Sequence, residues 1–135
     1  MAKQVFTNAV VTVNGTDFSD HIAAVTIEQS ADEIETTAFG ATGWRTRTVG
    51  LKDGSVTLDW HQDFSSSVDA TLSSAWGAVG TVTIMPNGTA IGASNPRWTC
   101  PVVLSGYSPV AGSVGDLLTF STTWAAAGAF ARATA

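Results

Sequence analysis

Residues 51–77 constrain the fold more than any other stretch of this chain. Val56, Leu58 and Trp60 fall on one side of residues 55–64, and Thr57, Asp59 and His61 on the other. That is the period-two pattern of a half-buried strand. Phe64, Val68, Leu72 and Trp76 then recur every four residues, with Ala75 beside them, which predicts one apolar stripe on a short helix over residues 65–76. Ser66 with Asp69 three residues on resembles a capping box, and Gly77 can end the helix. Elsewhere the pattern alternates or breaks into Gly-rich turns. One helix set among strands makes a mainly β chain.

The remaining strands follow from the same alternation. Residues 5–13 are rich in Val and Thr and end at Asn14-Gly15, a hairpin turn signal. Asp17-Phe18-Ser19-Asp20-His21 is a polar connector, and residues 22–29 place Val25 and Ile27 on one face and Thr26 and Glu28 on the other. Over residues 30–43 the periodicity collapses, which predicts a loop long enough to be functional or disordered. Residues 44–49 restart a strand, and Asp53-Gly54 predicts a tight turn into the strand described above. Further strands are expected at 81–85, with Val82 and Ile84 inward, and at 97–104, where Pro101 marks an edge or bulge. A last strand is expected at 116–124, with Leu118, Phe120 and Trp124 in phase, followed by an Ala-rich tail at 125–135. With 135 residues and 19 Thr, the expected architecture is a single domain, residues 1–135. Its fold is a β-sandwich or partly open barrel of six to eight strands with one flanking α-helix.

Charge narrows the function. Charged residues are 13% of the chain and apolar residues 44%, with a mean hydropathy of +0.20; an ordinary soluble domain is roughly 25% charged. So bland a surface is expected to be covered by other chains. The net charge of −5, with six Lys and Arg in all, argues against a direct grip on nucleic acid, which requires clustered cations. No apolar run is long enough to span a membrane, and no signal-peptide core is evident at the start. Cys100 is the one cysteine, so neither an intrachain disulfide nor a cysteine metal site is expected, and a reducing cytoplasm fits its synthesis.

No catalytic constellation stands out. His21 and His61 are not in a ligand-spaced cluster. Asp59, His61 and Asp63 share a strand and its end, and a small hydrolase would use these three; carboxylates beside a histidine on a wet strand face are the commoner reading. Cys100 lies between Thr99 and Pro101 without a suggested base and reads as a buried thiol. Gly40-Ala41-Thr42-Gly43 lacks the Lys of a phosphate loop. Asp32-Glu33-Ile34-Glu35 lacks the ligand count of a calcium loop and reads as a solvated charge run. No metal or cofactor is expected. What remains is interaction: Asp32, Glu33, Ile34, Glu35 and Phe39 lie next to a strand bearing Arg45 and Arg47, and between subunits such charges set register and suppress wrong partners.

Several phrases in order resemble the tail tube protein (major tail protein) of long-tailed bacteriophages. They are the strand closed by Asn14-Gly15, the connector 17–21, the polar loop 30–43, and Val49-Gly50-Leu51-Lys52-Asp53-Gly54-Ser55-Val56-Thr57-Leu58. The strand-to-helix step at Phe64 and the Arg97-Trp98 strand leading to Gly106-Tyr107 complete the series. The resemblance implies a β-sandwich whose copies form six-membered rings that stack into a tube in the virion, with inner strands joined around a lumen for DNA. It implies that loop 30–43 contacts the adjacent ring, that acids line the lumen (Glu28, Asp59 and Asp63 being the candidates), and that tape measure, tail terminator and distal tail proteins are partners. The alternative is an Ig-like or carbohydrate-binding β-sandwich module using some of the five Trp as a sugar platform.

Overall fold

The computed structural model describes residues 3–40, 42–65 and 67–135. Strand β1 (Val10–Val13) turns through Asn14 and Gly15, both with positive φ (50° and 86°), into the two-residue β2 (Thr16–Asp17). This is the tight hairpin that an Asn-Gly pair favours, because both central residues must be left-handed. A 3-10 turn at Ser19–His21 leads into β3 (Ile22–Glu35), which pairs antiparallel with β4 (Arg47–His61). Helix α1 (Ser67–Ala75) follows, then β5 (Val79–Met85), β6 (Arg97–Val103), β7 (Thr119–Ala125) and β8 (Ala131–Ala133). Two sheets result, a five-stranded one in the order β2-β1-β5-β6-β8 and a three-stranded one in the order β3-β4-β7. They face each other without closing into a barrel, so the mainly β, one-helix sandwich expected from the alternation is what forms.

The inward residues are those the period-two reading selects. Val56, Leu58 and Trp60 of β4 meet Val82, Ile84, Cys100 and Val102 of the opposite sheet in one buried cluster. Trp60 stacks on Phe120 with centroids 5.6 Å apart and receives Phe18 edge-on at 5.4 Å. Its indole N–H donates to Thr122 Oγ1 at 3.0 Å, so the largest core residue buries no unsatisfied donor. Trp124 is likewise satisfied, donating to the Gly106 carbonyl at 3.1 Å. Burial pushes the Cys100 thiol up to about 11, which keeps it a neutral, inert group. Pro101 sits opposite Thr81 on β6, beyond the part of β6 that β8 covers, and its carbonyl accepts from Ala127 N–H at 2.9 Å. That side of β6 is occupied at this point by residues 126 and 127 rather than by β8, with Val102 bridging Ala126.

Five local expectations are corrected. Strand β1 begins at Val10 rather than residue 5, because Val10 already pairs with Met85, the last residue of β5, leaving residues 5–9 without a ladder. The helical stripe is shorter than its spacing suggests. Val68 and Leu72 are buried and Ala75 packs beside them, but Phe64 and Trp76 lie outside the helix and are 55% and 59% exposed. The capping serine, Ser66, lies outside the described residues. No turn interrupts Asp53-Gly54: β4 runs straight through, with Gly54 opposite Gln29. A glycine is needed there for space, since a Cβ would lie 2.7 Å from the Phe130 ring and 2.9 Å from the Glu28 carbonyl. Leu118 precedes β7 and is only half-buried. Residues 125–135, expected as a tail, supply Phe130 to the core and β8 to the edge of the larger sheet.

Candidate assembly surfaces

The segment expected as a loop at residues 30–43 is half strand. Strand β3 continues through Glu35, each residue opposite a partner on β4 except at an irregularity between Ala31 and Glu33. Alternation is absent here because the hairpin stands clear of the sandwich and has two wet faces, so no buried face imposes a period. Its neck is tied by Thr36 and Thr46. The Thr36 N–H donates to the Thr46 carbonyl at 2.8 Å, the Thr36 hydroxyl to Thr46 Oγ1 at 2.9 Å, and the Thr46 N–H to Thr37 Oγ1 at 2.8 Å. The arm is thus a β-hairpin, with residues 38–40 and 42–45 beyond its paired strands.

The arm collects most of the residues proposed for subunit contact. Glu35 lies directly opposite Arg47, and Arg45 Nε is 3.6 Å from Glu35 Oε1. Both members of that ion pair are more than half exposed, so it contributes about 0–1 kcal/mol to the fold. Glu33 is opposite Val49, and Asp32 and Ile34 lie on the same strand of the arm. Phe39 and Trp44 at the tip are fully and 80% exposed, and Ile34, Val49 and Leu51 are also exposed. An isolated two-stranded hairpin is marginal in water, and this one exposes large apolar groups on both faces, with Ile34 opposite Thr48 and Val49 opposite Glu33.

The outer face of the three-stranded sheet is a second surface. Alternation turns Thr26 and Glu28 of β3, Ser55, Thr57 and Asp59 of β4, and Ser121 and Thr123 of β7 away from the core. Thr57 and Thr123 hydroxyls meet across the strands at 3.3 Å. Asp53 continues the same row, a carboxylate concealed in the sequence by its reading as a turn residue. This face therefore carries hydroxyls and the carboxylates of Glu28, Asp53 and Asp59, without a Lys or Arg among the residues named. Strands β3 and β7 are the sheet's two edges, and their outer sides carry no backbone ladder among the described residues.

Asp63 is placed differently. It lies past the end of β4, where Oδ2 is 3.0 Å from His21 Nε2 and Oδ1 accepts from the Ser65 N–H and hydroxyl. His61 Nδ1, by contrast, is buried with no hydrogen-bond partner among the described residues. Asp59, His61 and Asp63 are consequently not assembled as a hydrolytic constellation. No group of three or more metal-ligating side chains occurs among the described residues, and no described helix is long and apolar enough to cross a membrane. The five Trp form no platform: Trp60 and Trp124 are buried, Trp98 packs on the core, Trp44 is on the arm and Trp76 follows the helix. A groove of about 830 Å³ runs between the base of the arm (Gln29 to Ala31, Lys52 to Gly54) and residues 126–130. It is open, and it was not legible from sequence because Phe130 and β8 were not.

No protein-family model matches the chain, and no curated protein matches it by sequence. Its structure is similar to a chain in the virion of a native gene transfer agent particle (TM-score 0.76, 15% identity, 96% of this chain and 98% of that one). It is also similar to a chain in the tail of an empty gene transfer agent particle with C6 symmetry (0.70, 17%, 87% and 86%). A third likeness is to a chain of the tube-terminating cap of the anti-feeding prophage (0.67, 13%, 100% and 95%). The fold is that of phage-tail-like particle components. At these identities the likeness speaks for the shape of the backbone, over 87–100% of this chain.

Proposed function

We propose that this chain is a structural virion protein, the subunit of a phage tail tube, in which six copies form a ring and rings stack around a lumen for DNA. The observation that carries the reading is the three-stranded sheet. Both its edges are open, so that sheets of neighbouring copies can join, and its outer face bears carboxylates and hydroxyls without a cation. Such a wall repels phosphate and lets DNA pass without adhering. Glu28 and Asp59 are then lumen residues, with Asp53 added to them; Asp63, engaged by His21, contributes less to that wall.

The arm is the contact to the adjacent ring. Phe39, Trp44, Ile34 and Val49 would lose their exposure there, while Asp32, Glu33, Glu35, Arg45 and Arg47 set which partner surface is accepted. Covering these groups accounts for a chain so poor in charge. The fold shared with chains of six-fold tail particles supports the ring size, and no catalytic step is assigned to the protein. Tape measure, tail terminator and distal tail proteins are the partners such a tube requires. Negative-stain microscopy of the concentrated protein tests the reading: six-membered rings or tubes are expected, and a persistent monomer that binds glycans overturns it.

A further inference from the structure

We infer that His21, held between Asp20 and Asp63, is a pH-sensitive clasp that fastens the 3-10 turn before β3 to the junction of β4 and α1. The inference stands on geometry and does not depend on the tube reading. The imidazole is mostly buried, with Nδ1 2.8 Å from Asp20 Oδ1 and Nε2 3.0 Å from Asp63 Oδ2. An imidazolium donates through both nitrogens at once, whereas a neutral imidazole has one N–H and must turn a lone pair toward the other carboxylate. Only the charged form fits both partners. Asp63 in turn accepts from the Ser65 N–H and hydroxyl, so the clasp reaches the chain entering α1. On the other side, Asp17 accepts from the Ser19 N–H and hydroxyl, and Ser19 Oγ accepts from Val11 N–H at 2.9 Å, so the turn is bound to β1.

The titratable groups acting on His21 are Asp20 from its own turn and Asp63 from the β4–α1 connection. The hydrogen bond to Asp63 raises its pKa most; burial works the other way, and Asp20 adds to the rise. Asp20 is largely exposed and therefore screened, so Asp63 is the dominant partner. Because the folded-state pKa lies above the unfolded value of 6.5, the clasp's contribution is complete below 6.5. It is lost as pH rises through the folded pKa. Cys100 (about 11) and Tyr107, whose pKa is raised by burial and by Asp69, do not titrate in that window.

Two measurements test this. Histidine side-chain NMR, with the two resonances assigned through H61Q, should give a His21 midpoint above 6.5 that moves down in D63N. Melting temperature between roughly pH 6 and pH 9 should fall with rising pH in the unaltered protein and stay level in H21Q. A His21 midpoint at or below 6.5, or an equal pH slope in H21Q, overturns the clasp. Should H21Q not fold, the NMR midpoints in the unaltered protein and in D63N decide.

Discussion

Gly54 shows how a single residue can be legible for the wrong reason. Asp53-Gly54 has the composition of a turn, yet the backbone is extended and the glycine exists to admit Phe130 from 76 positions later in the chain. The G54A variant must displace both an aromatic ring and the Glu28 carbonyl, and backbone cannot yield cheaply. It should lower the unfolding free energy by about 1–3 kcal/mol, read from chemical denaturation; an unchanged midpoint would mean that Phe130 is not seated there. Other single residues were plain from the outset. Val56, Leu58 and Trp60 sit where alternation puts them because a buried face imposes the period. Cys100 is the buried thiol its strand neighbours imply. The partners of polar residues were not legible in this way: nothing local links His21 to Asp63 or Tyr107 to Asp69, the latter pair meeting at 2.7 Å.

Elements inside the sandwich were easier to read than those outside it. Strands β5, β6 and β7 and the second half of β4 each bury one face and appear near their expected spans, although β4 fuses two expected strands across Asp53-Gly54. The β3–β4 arm buries neither face, so its sequence carries only turn and charge signals and reads as a loop. Helix α1 was found by its spacing, but the pattern overran it at both ends because Phe64 and Trp76 keep the period without being helical. The arm supplies the prediction at this scale. Reversing Asp32, Glu33 and Glu35 to Lys together should abolish or strongly weaken assembly, measured by sedimentation. The monomer's stability should change by no more than about 0.5 kcal/mol per site, as for exposed substitutions generally. Assembly that survives the triple reversal would remove the arm from the interface.

For the whole molecule, the sum of small surface facts matters more than any one site. The chain has few charges, two open sheet edges, an acidic hydroxyl face and an exposed aromatic-tipped arm. A self-assembling subunit uses all of them. The fold class was legible from alternation plus one helix. The split into a five-stranded and a three-stranded sheet was not, because strand pairing between β1 and β5 or β4 and β7 is set by contacts far apart in the chain. In the proposed tube, which face turns to the lumen depends on that split. A cryo-EM reconstruction of assembled protein tests it most directly. The account predicts six-fold rings in which the strands bearing Glu28, Asp53 and Asp59 face the axis and the arm reaches the next ring. A tube with the five-stranded sheet facing the axis, or a ring without six-fold symmetry, would contradict it.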